Sequence, residues 1–210
     1  MNKFRKQTGL TLLEITIVLV IISILVGVVL KGTSLIQNSR TKSLITMKGD
    51  VQTAFNAFVD RYRALPGDYY MASAGFTCGA TPCFNGNGNG RIESTESVAV
   101  WQHLSGFMTT AVSYDSDPPN AQNSMVNPFG GVMKVEYVNG HIFNVGNMIP
   151  VEILAEVDTK IDNNLPLTGK FKFSKYSSDG NDPSLTACVL NDTWNIKGGE
   201  VNCGALWMIQ

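Results

Sequence analysis

What the front of this chain lacks is charge: from Ile15 to Leu30 there is no Asp, Glu, Lys or Arg. Proline is missing over a longer reach, since the first is Pro66. A stretch without either holds nothing that stops a helix or keeps it in water. Basic runs are absent beyond the first residues and the formal net charge is −1, so no nucleic-acid partner is expected. Histidine occurs only at His103 and His141, and no nucleophile-and-base constellation of the kind hydrolases need can be read, so no enzyme is expected. There is no Cys-x-x-Cys pair. The four cysteines, Cys78, Cys83, Cys188 and Cys203, form an even set downstream of the apolar run, and Cys78 and Cys83 have no histidine nearby. That favours disulfides Cys78–Cys83 and Cys188–Cys203 over zinc, and an oxidising compartment.

What is there, first, is a membrane-length apolar run. Counted from Leu10 to Leu30, a helix rises about 31 Å at ~1.5 Å per residue, enough to cross a hydrocarbon core of about 30 Å. Before it, Lys3, Arg5 and Lys6 stand without an acid, which holds the N-terminus in the cytoplasm and sends the rest outward. An ordinary signal peptide has a shorter apolar region and a small-residue cleavage site, which "VVLKGTSLIQ" does not offer. A core helix this long and apolar needs a larger protein around it. One residue stands out, Glu14 at the front edge of the run. A carboxylate in lipid costs about 2.5–3.5 kcal/mol at a helix centre and less near the interface, so it normally has a positive partner. A cut after Gly9 would create one: the α-amino group of Leu10, one helical turn from Glu14 and free to reach another copy.

The residues Gly9-Leu-Thr-Leu-Leu-Glu14, with a short basic leader before them and a long apolar helix after them, resemble the prepilin signal of type IV pilins and type II secretion pseudopilins. The resemblance implies that a membrane-embedded aspartyl peptidase cuts after Gly9 and methylates Leu10. Glu14, fifth in the mature chain, would then neutralise the Leu10 amine of a neighbouring subunit as it docks into a filament. In low dielectric such a pair decides register, because an unpaired partner costs most. Two positions depart from the common pattern: Leu10 stands where phenylalanine usually follows the cut, and no proline interrupts the second half of the membrane helix. Gly27 and Gly32 are the weaker substitutes for such a break. The partners implied are further copies of this chain, other pilin-like subunits, the prepilin peptidase, an inner-membrane assembly platform, and the membrane itself before assembly. The place implied is the bacterial inner membrane, with the bulk of the chain outside the cytoplasm, and then a periplasmic or extracellular filament.

Beyond the membrane, apolar residues recur at Leu44, Met47, Val51, Phe55, Phe58, Tyr62 and Leu65, opposite Lys42, Lys48, Asp50, Gln52, Asn56 and Arg63. Those steps of three and four predict a helix laying one stripe on a domain and ending at Pro66-Gly67. The next segment, "NGNGNGRIESTE", has the spacing of an EF-hand calcium loop, with Asn85, Asn87, Asn89, the Arg91 carbonyl and Glu96 as candidate ligands and Gly90 at the turn. Calcium is thus the candidate cofactor. Asn in place of Asp at the early positions predicts weak affinity, about 10⁻⁴–10⁻³ M. The plain alternative is a polar loop of Asn-Gly turns.

A helix is expected over 95–107, a hairpin turning at Asn139-Gly140, a helix around Ile153 to Ile161, and a short strand in "GKFKFSKY". The Cys188–Cys203 segment is expected as a loop at the sheet edge. Asp179, Asn181 and Asp182 read as a solvated turn, and Trp101, Trp194 and Trp207 as packing residues. The fold class is therefore α+β and pilin-like: a long N-terminal helix, half transmembrane, on a small antiparallel sheet. Residues 1–9 form the leader, 10–32 the transmembrane and filament-core helix, 33–65 its amphipathic continuation, and 66–210 an exported globular head. The function expected is a structural filament subunit. The rivals are a minor tip subunit acting as an adhesin or substrate-binding module, and a membrane-anchored calcium-dependent enzyme or sensor that keeps its leader.

Overall fold

The structure is a computed structural model and describes residues 11–78, 82–108 and 122–209. Helix α1 runs unbroken from Leu12 to Tyr62, as a sequence without proline allows. It closes with Arg63 in the left-handed region (φ 53°), its N–H donating to the Val59 carbonyl at 2.8 Å, and Pro66 lies just beyond. The chain divides into two compact units, 1–40 and 41–210.

In the second unit the order after α1 is α2 (Ala72–Gly75), α3 (Ser97–Leu104), β1 (Lys134–Tyr137), β2 (His141–Asn144), α4 (Val151–Ile161), β3 (Phe171–Phe173), α5 (Leu185–Cys188), β4 (Val189–Leu190), β5 (Thr193–Trp194), a 3₁₀ turn (Ile196–Gly198) and β6 (Ala205–Met208). Four strands form an antiparallel sheet in the order β1-β2-β6-β3, and β4 and β5 form a separate pair. Val135, Phe143, Trp207 and Phe171 stand opposite one another across all four strands. Being one row of a pleated sheet they share a face, and all four are buried. The same core takes Leu44, Val51, Phe55 and Phe58 from α1, Val100, Trp101 and Leu104 from α3, and Ile153, Leu154 and Val157 from α4.

Three expectations need correction. The 188–203 segment, expected as a loop, carries the β4–β5 pair and a 3₁₀ turn of its own before it leads into β6, which lies between β2 and β3. The helix expected over 95–107 is shorter, Ser97–Leu104. Lys48, assigned to the polar face of α1, sits over Trp207 with its ammonium 3.7 Å from the ring centroid, where the cation meets the ring quadrupole. The disulfides are Cys78–Cys83 (Cα–Cα 5.2 Å) and Cys188–Cys203 (Cα–Cα 5.8 Å). Closing a loop of fifteen residues' separation, the second stabilises by about 3 kcal/mol through the unfolded chain.

His103 fastens three segments. It is fully buried, stacked 5.6 Å from Phe58, its Nδ1 accepting the Gly67 N–H at 2.8 Å while Nε2 lies 2.8 Å from the Phe84 carbonyl. Those partners require the neutral ring with the proton on Nε2, and burial pushes its pKa down to about 4 from an ordinary 6.5. A ring whose folded pKa is depressed contributes its full stability above pH 6.5 and loses it as pH falls toward 4. The loss is about 3 kcal/mol across that window. Urea midpoints followed by tryptophan fluorescence check this: between pH 7 and 4 the wild-type advantage over His103→Gln shrinks, and a constant advantage would contradict the assignment.

Candidate functional site

Gly9 and Leu10 lie outside the described residues, so the first site begins at Thr11. Its N–H and hydroxyl both donate to Glu14 Oε2, at 2.8 and 3.0 Å, and the Glu14 N–H returns a bond to Thr11 Oγ1 at 3.3 Å. This reciprocal capping box satisfies helix-end donors that otherwise need water. Among the described residues Glu14 Oε1 accepts no hydrogen bond, so one carboxylate oxygen holds the helix start and the other is open. Behind it the large apolar side chains from Leu12 to Val29 are all exposed, none less than 45%. The two hydroxyls in the run bond inside the helix, Thr16 to the Leu13 carbonyl and Ser23 to the Leu19 carbonyl, both at 2.8 Å. The helix is long and apolar enough to cross a membrane. Each such side chain left in water forgoes about 1.5–3 kcal/mol of burial. The helix continues through Gly27 and Gly32 without a break.

The second site is the 85–96 loop, which lies against the turn after α1. The Gly86 and Gly88 amides donate to the carbonyls of Tyr69 and Asp68, at 3.0 and 2.9 Å. At Gly86 a Cβ would come within 2.3 Å of the Asp68 backbone, so only glycine allows this approach. Two buried carboxylates collect the loop amides. Glu96 accepts the N–H groups of Asn87 (2.9 Å) and Glu93 (3.0 Å), and Asp68 those of Asn89 (3.0 Å) and Gly90 (2.8 Å). Asn87 Oδ1 accepts the Asn89 N–H at 2.9 Å and Asn89 Oδ1 the Arg91 N–H at 2.8 Å, while both side-chain amides donate to Glu93. Burial pushes the Glu96 carboxyl up, and the nearby charges of Asp68 and Glu93 push the same way.

Of the candidate ligands, Asn87, Asn89, Arg91 and Glu96 are thus brought together, whereas Asn85 is engaged by the backbone N–H and hydroxyl of Ser73, at 2.8 and 2.9 Å. Sequence reading missed Asp68, whose carboxylate holds the amides of the fifth and sixth loop positions. The available signal was an acid placed directly after the helix-ending Pro66-Gly67. Among the described residues no three His, Cys, Asp or Glu converge to hold a metal ion, so a cation here would rest largely on amide and carbonyl oxygens. Elsewhere, Asp179 accepts bonds from Asn147 and Asn181 within its own neighbourhood, and Trp101, Trp194 and Trp207 are buried.

The comparisons with known proteins bear on the first site. No curated protein matches the chain. A solved structure, the major type IV pilin PilA1 from Clostridium difficile, aligns over 84% of this chain and 98% of its own at 12% identity, with a TM-score of 0.44, a likeness that carries no argument by itself. The family model of the prokaryotic N-terminal methylation motif matches residues 4–30. The segment that holds Gly9, Leu10 and Glu14 is therefore similar to the prokaryotic N-terminal methylation motif.

Proposed function

We propose that this chain is a structural subunit of a type IV pilus or a type II secretion pseudopilus, with no catalytic role. The observation that carries the reading is Glu14, the one carboxylate at the head of an exposed apolar helix, within the methylation motif. The prepilin peptidase cuts after Gly9 and methylates Leu10, and the subunit waits in the inner membrane for the assembly platform. On docking, the Leu10 amine of a neighbour meets the open oxygen of Glu14, and the second unit becomes filament surface. Replacing Glu14 with Ala is expected to leave cleavage intact and to reduce sheared filaments by at least about ten-fold, the effect of removing a charge-assisted bond of ~1.5 kcal/mol or more. Immunoblots of membranes and sheared fractions read both steps, and Glu14→Ala filaments at the normal level would refute the charge-pair account.

The 85–96 loop supports a second component of the reading, weak calcium binding through the Asn87 and Asn89 side chains, the Arg91 carbonyl and Glu96, with Asp68 in the place first given to Asn85. The support is the spacing of the loop, with Asn87, Asn89 and Glu96 gathered in it and the Asp68 carboxylate on its fifth and sixth amides. At ten times its Kd a calcium ion stabilises by about 1.4 kcal/mol. The full chain in detergent is expected to melt at higher temperature in millimolar calcium, and Glu96→Gln to lose that response. An identical melting temperature with calcium and with chelator would dismiss the ion.

A further inference from the structure

Four Asn-Gly steps occur in this sequence: Asn85-Gly86, Asn87-Gly88, Asn89-Gly90 and Asn139-Gly140. Such steps are chemically labile, because glycine has no side chain to hinder its own backbone nitrogen. That nitrogen attacks the asparagine Cγ, forming an N–Cγ bond. The Cγ–Nδ2 bond breaks, the amide proton departs with Nδ2 as ammonia, and water opens the succinimide to Asp or isoAsp. The attack needs a glycine amide released from its acceptor and an asparagine side chain able to swing toward it.

The fold treats the four steps differently. In the loop every glycine amide is occupied: Gly86 donates to the Tyr69 carbonyl, Gly88 to the Asp68 carbonyl and Gly90 to Asp68 Oδ2 at 2.8 Å. Every loop asparagine is also tethered, Asn85 to Ser73, and Asn87 and Asn89 to Glu93 and to the amides two residues on. At the β1–β2 hairpin neither restraint exists. Asn139 is exposed in the left-handed region (φ 54°), its side chain has no hydrogen-bond partner among the described residues, and the Gly140 amide donates to no acceptor there.

We propose that Asn139 is the site at which this protein deamidates, and that Asp68 and Tyr69 lock the three Asn-Gly steps of the loop against the same reaction. The consequence differs at the two places. At the hairpin each event adds one negative charge to an exposed turn, marking the age of the molecule. In the loop the reaction would turn Asn85, Asn87 and Asn89 into acids beside Asp68, Glu93 and Glu96, and the lock keeps that charge from accumulating.

Site-resolved peptide mapping by mass spectrometry tests this on the full chain in detergent, incubated at mildly alkaline pH, beside the same chain reduced and unfolded in urea. In the folded protein the Asn139 peptide is expected to gain one mass unit with time, while the loop steps react slower by about ten-fold or more, the cost of first breaking one hydrogen bond. In the unfolded chain all four react at comparable rates. Asp68→Ala, which removes the Gly90 acceptor but leaves the Asn89 side chain on Glu93 and the Arg91 amide, is expected to raise the Asn89 rate above the rates of Asn85 and Asn87 without reaching that of Asn139. Loop asparagines reacting as fast as Asn139 in the folded wild type would overturn the proposal, whether or not the variant folds.

Discussion

Between Leu12 and Leu35 this protein presents large apolar side chains that stand exposed among the described residues, and the rest of its chemistry answers to that surface. Such a helix is tolerable in water only if something apolar surrounds it, lipid first or other helices later. In either surrounding a backbone or side-chain polar group without a partner is heavily penalised. The hydroxyls of Thr16 and Ser23 meet the requirement by bonding back to carbonyls. Glu14 meets it by half: one oxygen closes the helix start with Thr11, and the other accepts no hydrogen bond among the described residues. A half-satisfied carboxylate in an apolar setting is a strong selector for a positive partner, which is what an assembly signal needs to be.

The second unit is held by a different means. Its regular elements share a conventional core, but the segments around Pro66 to Tyr69 and Asn85 to Glu96 are poor in apolar residues and cannot be fixed by burial alone. Buried polar side chains do it instead. Asp68 and Glu96 gather loop amides, His103 joins Gly67 to Phe84, and Asp158 takes the Trp194 indole N–H at 2.8 Å and the Asn164 amide. Each replaces water at backbone groups that would otherwise be stranded. The same bonds decide how reactive the asparagines are, so structure and chemical durability of the loop have one origin.

How much of this could be read in advance follows from the range of each interaction. The stripe Leu44, Val51, Phe55 and Phe58 was legible because helical periodicity is local, and it is buried as a stripe should be. The hairpin at Asn139-Gly140 was legible because its turn signal is local, although Tyr137 pairs with His141 and leaves three residues, Val138 to Gly140, between the strands. The place of β6 was not: "ALWM" is a short apolar run like others, and only pairing with strands far back in the chain, through Phe143 and Phe171, makes it central. Asp68 was hidden for the same reason, being some twenty residues from the amides it holds. The bonds between Asn85 and Ser73 were hidden too, because spacing within the loop says nothing of a residue twelve positions back. In the first unit the Thr11–Glu14 capping box is local, since both partners lie within one turn of helix.

The central claim is that Glu14 belongs to a processed, polymerising subunit. The intact mass of the protein from sheared surface fibres and from membranes, before and after reduction, tests it most directly. The account predicts a chain beginning at Leu10, one added methyl group, recovery in the fibres, and a gain of four hydrogens on reduction of the two disulfides. A chain retaining Met1 to Gly9 and confined to the membrane fraction would contradict it.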